Sequence, residues 1–398
     1  AFLILRDGFG MIQAIIEKSH IGENNFDQFK KITQESSITI RGKVVKNEKS
    51  PGGYEIFVDE FELHQISNEY PITPKEHGTD FLMNNRHLWL RSKRQHAILR
   101  VRHQIIKAIR DFFDSNDFTL VDSPIFTPNA AEGTSTLFRT EYFGKTAYLT
   151  QTGQLYGEAS AMAFGRHYNF GPCFRAEKSK TRRHLTEFWM VEPEIAFCEI
   201  GEDMQWAEDL LIYIVDKVIE NRSHELNVLE RDVELLKKIK GPFPRISYTE
   251  CIQLLQDDGF DIKWGDDFGS PEETHISSRY NKPVIIHRFP SKIKAFYMKR
   301  DPENDDVVLG MDILAPEGYG EIIGGGERTW TEKEILERIE EEGTPREPYE
   351  FYIDVRRFGG VPHGGFGLGV DRVCSWLAGA DHIREVIPFP RDSRRVTP

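Results

Sequence analysis

Residues 174–188, FRAEKSKTRRHLTEF, constrain the fold of this 398-residue chain more than any other segment. Arg175 and Glu177 alternate, so on a β-strand they would share one face. Residues 178–183 are basic and turn-prone, and residues 184–188 return as a second strand. Such a hairpin suits a nucleoside triphosphate, because the cations attract phosphates and an aromatic ring can stack on the base. The alternative is a solvated basic turn beside a core phenylalanine.

Two further segments combine glycines with charged residues. Residues 364–373, GGFGLGVDRV, place glycines before an amphipathic helix that carries Arg372, and a helix amino terminus favours anions. Residues 310–328 carry Asp312 and Glu321 near a glycine run that ends in Arg328. Paired carboxylates beside phosphates are what Mg²⁺ requires. Taken singly, tight strand-to-helix packing and acids on a surface turn explain these segments better.

The order of hydrophobic patterns predicts two domains joined by a hinge. Residues 1–66 contain four alternating stretches separated by turns, which predicts a small β-barrel, and its abrupt first strand leads us to expect native sequence upstream. Residues 67–82 contain prolines and a glycine that break the pattern. Residues 98–113 carry an apolar stripe typical of a long helix, followed by a strand that ends at Pro124. Residues 83–398 therefore predict an α+β domain with a mainly antiparallel sheet flanked by helices.

Composition narrows the class of protein further. The chain has 51 Lys and Arg against 64 Asp and Glu, a net charge of −13, which argues against a simple polyanion binder but leaves local basic patches open. No apolar stretch approaches the ~20 residues that cross a bilayer, so we expect a cytoplasmic protein without a membrane partner. The four cysteines form no CxxC pair, which argues against a disulfide framework or a structural zinc site.

Taken together and in this order, the segments resemble motifs 1, 2 and 3 of the class II aminoacyl-tRNA synthetases. Motif 1, a helix and a strand ending in proline, matches residues 101–124. Motif 2 matches the hairpin at Arg175 and Glu177, and motif 3 matches residues 365–372. An amino-terminal OB-fold barrel is similar to that of the aspartyl, asparaginyl and lysyl subgroup, class IIb. The strings EFWMVEPE, LAPEGYGEIIGGGER, RRFGGVPHGGFGLG and VIPFPR look most like asparaginyl-tRNA synthetases, particularly the archaeal type.

The resemblance implies an aminoacyl-tRNA ligase. It would use ATP and Mg²⁺ to join L-asparagine to tRNA(Asn) through an asparaginyl-adenylate, releasing AMP and diphosphate, and it would form a homodimer through residues 101–124. One alternative is an aspartyl-tRNA synthetase, discriminating or relaxed. Two others are a synthetase-derived enzyme that forms free asparagine, whose known form lacks the barrel, and a non-catalytic RNA-binding relative. Intact Arg175, Glu321 and Arg372 speak against the last of these.

The resemblance also assigns roles to individual residues. Arg175, Arg372 and Glu321 would be the catalytic ones, with Arg175 on the α-phosphate. The residues implied for ATP binding are Arg175, Glu177, Arg183, His184, Glu187, Phe188, Glu321, Gly369 and Arg372. Those implied for amino-acid binding are Glu132, Gln154, Gly157, Glu192 and Arg328. Those implied as metal ligands are Asp312 and Glu321.

Three of these positions favour asparagine over aspartate. Aspartyl relatives carry a lysine where this chain has Gly157, so one of the two cations for a side-chain carboxylate is missing. Arg328 can still donate to an amide oxygen, and Glu192 can accept from the amide nitrogen. With aspartate bound, Glu192 would face a second carboxylate in a site sheltered from water. The alternative is that Glu192 merely pairs with a nearby arginine.

Phe2 and Gln13 are the predicted anticodon-binding residues. They flank the turn at Arg6 and Asp7 with the spacing at which related enzymes stack on and hydrogen-bond the central anticodon base. The alternative places Phe2 in the core of the barrel.

Overall fold

The computed structural model describes residues 1–131, 135–179 and 181–398, in two units, Ala1–Asn85 and Arg86–Pro398. In the first unit, four strands form a sheet in the order β1-β2-β4-β3. Its interior buries Ala14, Ile16 and Val58 against Ile21 and Phe29 from short helices between β2 and β3. The elements of this unit are β1 (Phe2–Arg6), β2 (Met11–Ile15), α1 (Lys18–Ile21), α2 (Glu23–Phe29), β3 (Ser37–Lys46), β4 (Tyr54–Gln65) and α3 (Thr79–Asn84).

The second unit combines helices with a large sheet. Its helices are α4 (Arg86–Trp89), α5 (Lys93–Ser115), α6 (Gln154–Phe164), α7 (Ile200–Asn221), α8 (Ser223–Val228), α9 (Val233–Leu236), α10 (Tyr248–Asp257), α11 (Ser270–Ser277), α12 (Glu332–Glu341), α13 (Glu350–Arg357) and α14 (Val370–Ala378). Its strands are β5 (Thr119–Leu120), β6 (Phe126–Thr127), β7 (Arg139–Tyr142), β8 (Lys145–Leu149), β9 (Arg166–Phe174), β10 (Glu187–Ala196), β11 (Arg245–Ser247), β12 (Val284–His287), β13 (Arg300–Asp301), β14 (Asn304–Val308), β15 (Gly310–Ala315), β16 (Gly320–Glu327) and β17 (His363–Gly369).

The large sheet has eight strands in the order β11-β12-β15-β16-β17-β10-β9-β5. Neighbouring strands are antiparallel except for the outer pairs, β11 with β12 and β5 with β9. The prediction of a mainly antiparallel sheet is therefore confirmed. Smaller sheets pair β13 with β14, and β6 with β8 and β7.

Three helices cover one face of the sheet because their apolar stripes need burial. In α5, Ile98, Val101 and Ile105 are fully buried in the same cluster as Leu210 of α7 and Trp376 of α14. The apolar period read from residues 98–113 is thus the buried face of α5, as predicted. Among the residues that the structure describes, no helix is long and apolar enough to cross a membrane.

The predicted hairpin is present, but one detail of the prediction is wrong. Strand β9 ends at Phe174, so Arg175 and Glu177 lie in the connecting loop and not on the strand. The Arg175 N–H still donates to the Thr186 carbonyl, whereas the Ala176 N–H donates to Thr136. The chain therefore leaves the ladder after Arg175.

Candidate active site

The central strands of the large sheet line two adjoining cavities of about 560 and 100 Å³, which share Arg175, Met190, Glu321 and Gly367. The larger cavity is lined by six of the predicted residues, namely Gln154, Arg175, Glu192, Asp312, Glu321 and Arg328. The smaller cavity is lined by eight, namely Arg175, Glu177, Arg183, His184, Phe188, Glu321, Gly369 and Arg372. Residues far apart in the sequence thus converge in two groups, one per cavity.

The smaller cavity combines an aromatic ring with arginines. The Arg175 guanidinium lies 5.3 Å from the centre of the Phe188 ring. Arg372, in the first turn of α14, donates to the Glu321 carbonyl at 2.7 Å and to its carboxylate at 3.1 Å. Gly367 of β17 lines both cavities, and a Cβ there would lie 2.4 Å from the Met190 methyl carbon. The arrangement offers a stacking surface and positive charge to one ligand.

Two further residues of this cavity are held by neighbours. Arg183 donates to Glu273 at 2.7 Å and to the Thr274 hydroxyl at 3.0 Å, both on α11. Nε2 of His184 lies 3.7 Å from the Glu177 carboxylate. Burial, and then the charge of Arg372, lower the pKa of His184. His184 is therefore neutral at pH 7 and can serve a ligand as a hydrogen-bond partner.

Asp312 on β15 and Glu321 on β16 converge on the space beside Gly324. A Cβ at Gly324 would lie 2.9 Å from Glu321 Oε1 and 3.3 Å from Asp312 Oδ1. Burial raises the pKa of Asp312 to about 6, against the pull of Lys294. Burial would also raise the pKa of Glu321, but Arg372 and Lys294 outweigh it and hold that pKa below its usual value.

These two carboxylates fit a magnesium ion. No group of three or more His, Cys, Asp or Glu side chains capable of holding a metal occurs in the described part of the chain. Mg²⁺ does not need one, since it takes one or two carboxylates and completes its shell with water and phosphate oxygens. The glycine at 324 leaves that space open.

The larger cavity contains one carboxylate held by uncharged donors. Glu192 is 3% exposed and accepts hydrogen bonds from the Gly153 N–H at 2.8 Å, the Asn169 amide at 3.1 Å and the Thr152 hydroxyl. These donors fix the orientation of the carboxylate, so a ligand in the cavity meets it in a defined position.

Arg328 is one of the cations that line this cavity, and it already has a partner. Its Nη2 and Nε donate to the Glu194 carboxylate at 2.6 and 3.3 Å, and both side chains are almost fully buried. Burial raises the pKa of Glu194 to about 7, although Arg328 pulls it down. Arg328 thus presents hydrogen-bond donors with much of its charge neutralised.

The sequence reasoning missed a buried cluster centred on Glu158 of α6. Its carboxylate accepts from Arg356, lies 2.8 Å from His363 Nε2, and accepts from the Tyr352 hydroxyl at 2.7 Å and from the Gln154 amide at 3.1 Å. Burial would raise the pKa of Glu158, but Arg356 and then His363 hold it well below its usual value. The cluster orients Gln154, and only the four-residue spacing of Gln154 and Glu158 on one helix could have indicated it.

Two predicted residues lie outside the lining of the cavities, and a third falls outside the residues that the structure describes. Gly157 does not line the larger cavity; a Cβ there would point at the His167 ring, 3.0 Å away, and at Glu194. Glu187 begins β10, forms a backbone β-bridge with Arg391, and does not line either cavity. Glu132 lies outside the described residues.

Phe2 and Gln13 share the outer face of the sheet in the first unit. Gln13 lies opposite Ile4 in the β1–β2 register, and Ile4 shares its strand face with Phe2. Phe2 is 72% exposed and Ile4 is 51% exposed. The alternative that Phe2 is a core residue is therefore wrong.

Comparisons with known proteins agree with this architecture. Residues 78–393 match the family described as tRNA synthetases class II (D, K and N), and residues 1–63 match the OB-fold nucleic acid binding domain. The chain is 57% identical over 410 residues to an asparagine–tRNA ligase of Sorangium cellulosum, covering all of this chain and 92% of that protein. The predicted fold class, an OB-fold followed by a class II catalytic domain, is confirmed.

Solved structures give the same result. One is asparaginyl-tRNA synthetase from Pyrococcus horikoshii complexed with asparaginyl-adenylate, with a TM-score of 0.97, 43% identity, and coverage of 100% of this chain and 92% of that one. Another is a putative aspartyl-tRNA synthetase from Leishmania major, with a TM-score of 0.87 and 26% identity over 100% of this chain and 88% of that one. The chain therefore belongs to the class II tRNA synthetases of the D, K and N group.

Proposed function

We propose that this chain is an ATP-dependent ligase that joins L-asparagine to tRNA(Asn) through an asparaginyl-adenylate, releasing AMP and diphosphate. The observation that carries the proposal is the junction of the two cavities at Arg175, with Glu192 and Arg328 in one and Phe188 and Arg372 in the other. An amino acid and a nucleotide bound there would meet at Arg175. The Sorangium relative is named for this activity.

The chemistry needs no nucleophile from the protein. A bound amino-acid carboxylate is ionised at neutral pH and attacks the α-phosphorus of ATP in line, so catalysis consists of positioning and charge stabilisation. Arg175, which lines both cavities, would donate to the α-phosphate, and Arg372 would donate to the more distal phosphates. Mg²⁺, held by Asp312 and Glu321, would supply further positive charge for the phosphate oxygens. The ester then forms on the terminal ribose of the tRNA.

The amino acid is held at both of its ends. Gln154, oriented by Glu158, lies at the larger cavity and would accept from the α-ammonium together with Glu132. At the side chain, Glu192 would accept from the amide nitrogen while Arg328 donates to the amide oxygen. Arg328 is already paired with Glu194, and an additional carboxylate would face Glu192 as a like charge. This favours asparagine over aspartate.

The tRNA and the second subunit extend the proposal beyond the catalytic unit. Residues 1–66 would form the anticodon-binding domain, with Phe2 stacking on a base and Gln13 hydrogen-bonding it. The reaction would take place in the cytoplasm, where tRNA is charged.

Residues 101–124 match the segment that forms the two-fold interface in this class, which favours a homodimer. Sedimentation equilibrium at micromolar concentration should give twice the chain mass. A fully active monomer would refute the dimer.

ATP–diphosphate exchange with single amino acids tests the activity directly. Exchange supported by asparagine and at least about a hundredfold slower with aspartate, followed by charging of tRNA(Asn), is the expected result. Equal exchange with both amino acids would refute the assignment of asparagine. Exchange with neither would refute the proposed activity.

A further inference from the structure

Lys294 occupies a position that the sequence reasoning did not consider. Its Nζ lies 2.7 and 2.6 Å from the two carboxylate oxygens of Asp312, and 4.0 Å from the centre of the Phe289 ring. It follows a 3₁₀ turn at Ser291–Ile293 and lines the larger cavity. The ammonium thus takes both oxygens of one of the two proposed metal ligands.

The surroundings show why a cation belongs there. Asp312 and Glu321 converge on Gly324, and each would raise the energy of the other if both were ionised without compensation. Arg372 contacts Glu321 at 3.1 Å, and Lys294 serves Asp312 in the same way. Without ligands, the pair of acids is therefore neutralised by cations that belong to the protein itself.

We propose that Lys294 is an internal cation that reserves the metal site: it holds Asp312 in the substrate-free enzyme and releases it only when nucleotide phosphates arrive. The proposal rests on the proposed metal site and deepens it. To bind Asp312 and Glu321, a free divalent ion would have to displace the Lys294 ammonium from Asp312. The two carboxylate ligands that the ion gains are offset by the ion pair that the protein loses, so we expect weak binding. Phosphate oxygens change the balance, because they add ligands for the ion and offer the freed ammonium a new anionic partner.

A purely structural role predicts something different. If Lys294 only stabilises a buried acid, removing its charge should lower stability and leave the metal affinity of the nucleotide-free protein unchanged or weaker. If Lys294 competes for Asp312, removing its charge should make that affinity tighter. The sign of the change separates the two roles.

The experiment measures Mn²⁺ binding to the nucleotide-free full chain by the loss of the free-ion electron paramagnetic resonance signal. Lys294→Met keeps most of the length and the apolar character of the stem while removing the charge, and should tighten Mn²⁺ binding by about tenfold or more, since a unit charge at contact distance is lost. Lys294→Gln serves if the first variant does not fold. Lys292→Met, at an exposed lysine two residues earlier that also lines the cavity, is the matched control and should change little.

A double variant locates the effect. Adding Asp312→Asn to Lys294→Met should abolish the gain, because the competed ligand is gone. An unchanged or weaker Mn²⁺ affinity in folded Lys294→Met, binding too weak to measure in both proteins, or a gain that survives Asp312→Asn would each overturn the proposal. Asparagine-dependent exchange by the parent chain is measured separately, so failure of the inference is distinguishable from failure of the proposed function.

Discussion

Replacing Glu192 by glutamine should remove most of the discrimination against aspartate. The structure predicts that the variant folds: the glutamine oxygen can keep the Gly153 and Asn169 donors, and its NH₂ group would face the Thr152 hydroxyl, which can turn to accept. We expect a loss of stability of about 1 kcal/mol from this rearrangement. The change therefore removes a charge without removing the shape of the site.

The magnitude follows from the charges that the structure places in the cavity. Two carboxylates about 4 Å apart repel by about 4 kcal/mol at the effective dielectric constant of a partly buried site. Arg328 offsets part of this repulsion. Its contribution is reduced because its guanidinium is already paired with the Glu194 carboxylate at 2.6 Å. If about two thirds of the repulsion remains after the compensation by Arg328, Glu192→Gln should lower the asparagine-to-aspartate ratio of kcat/KM by about a hundredfold.

The assay is ATP–diphosphate exchange with each amino acid over a concentration series. Asparagine should lose about tenfold or less in kcat/KM, while aspartate gains. Glu202→Gln, the same chemical change at an exposed position in α7, is the control and should leave the ratio unaltered. A folded Glu192→Gln variant that exchanges asparagine with undiminished discrimination would refute the reasoning.

Three other perturbations have definite expected outcomes. Phe2→Ala should raise the tRNA KM about tenfold while exchange stays unchanged, because a stacked base is worth ~1–3 kcal/mol; unchanged aminoacylation kinetics would contradict this. Phe188→Leu should raise the ATP KM several-fold, since bulk remains but the ring face beside Arg175 is lost; a normal ATP KM would place adenine elsewhere. Discrimination against aspartate should weaken as the pH falls from about 8 to about 6, because the pKa of Glu194 is near 7 and its protonation leaves Arg328 uncompensated; a pH-independent ratio would contradict it.

Local patterns predicted the parts of the structure that depend on local physics. The stripe at residues 98–113 became the buried face of α5, and the hairpin of residues 174–188 formed because its strands pair directly. The ion pairs around Glu158 and Lys294 depend on residues up to 205 positions apart, brought together by the sheet order, and no local pattern encodes that. The position of Gly157 could not be predicted for the same reason. Its spacing from Gln154 does not reveal that a side chain at 157 would point at the His167 ring.

The ion pairs of the site explain why a neutral side chain is the better substrate. Glu158 is paired with Arg356, Glu194 with Arg328, Asp312 with Lys294 and Glu321 with Arg372. These four acids are thus paired before any ligand enters, and Glu192 is oriented by donors from Thr152, Gly153 and Asn169. The negative charge of the ATP phosphates would be compensated by Arg175 and by the magnesium ion that accompanies the nucleotide. A side-chain carboxylate would face Glu192 as a like charge, whereas an amide offers that residue a donor at no cost in charge.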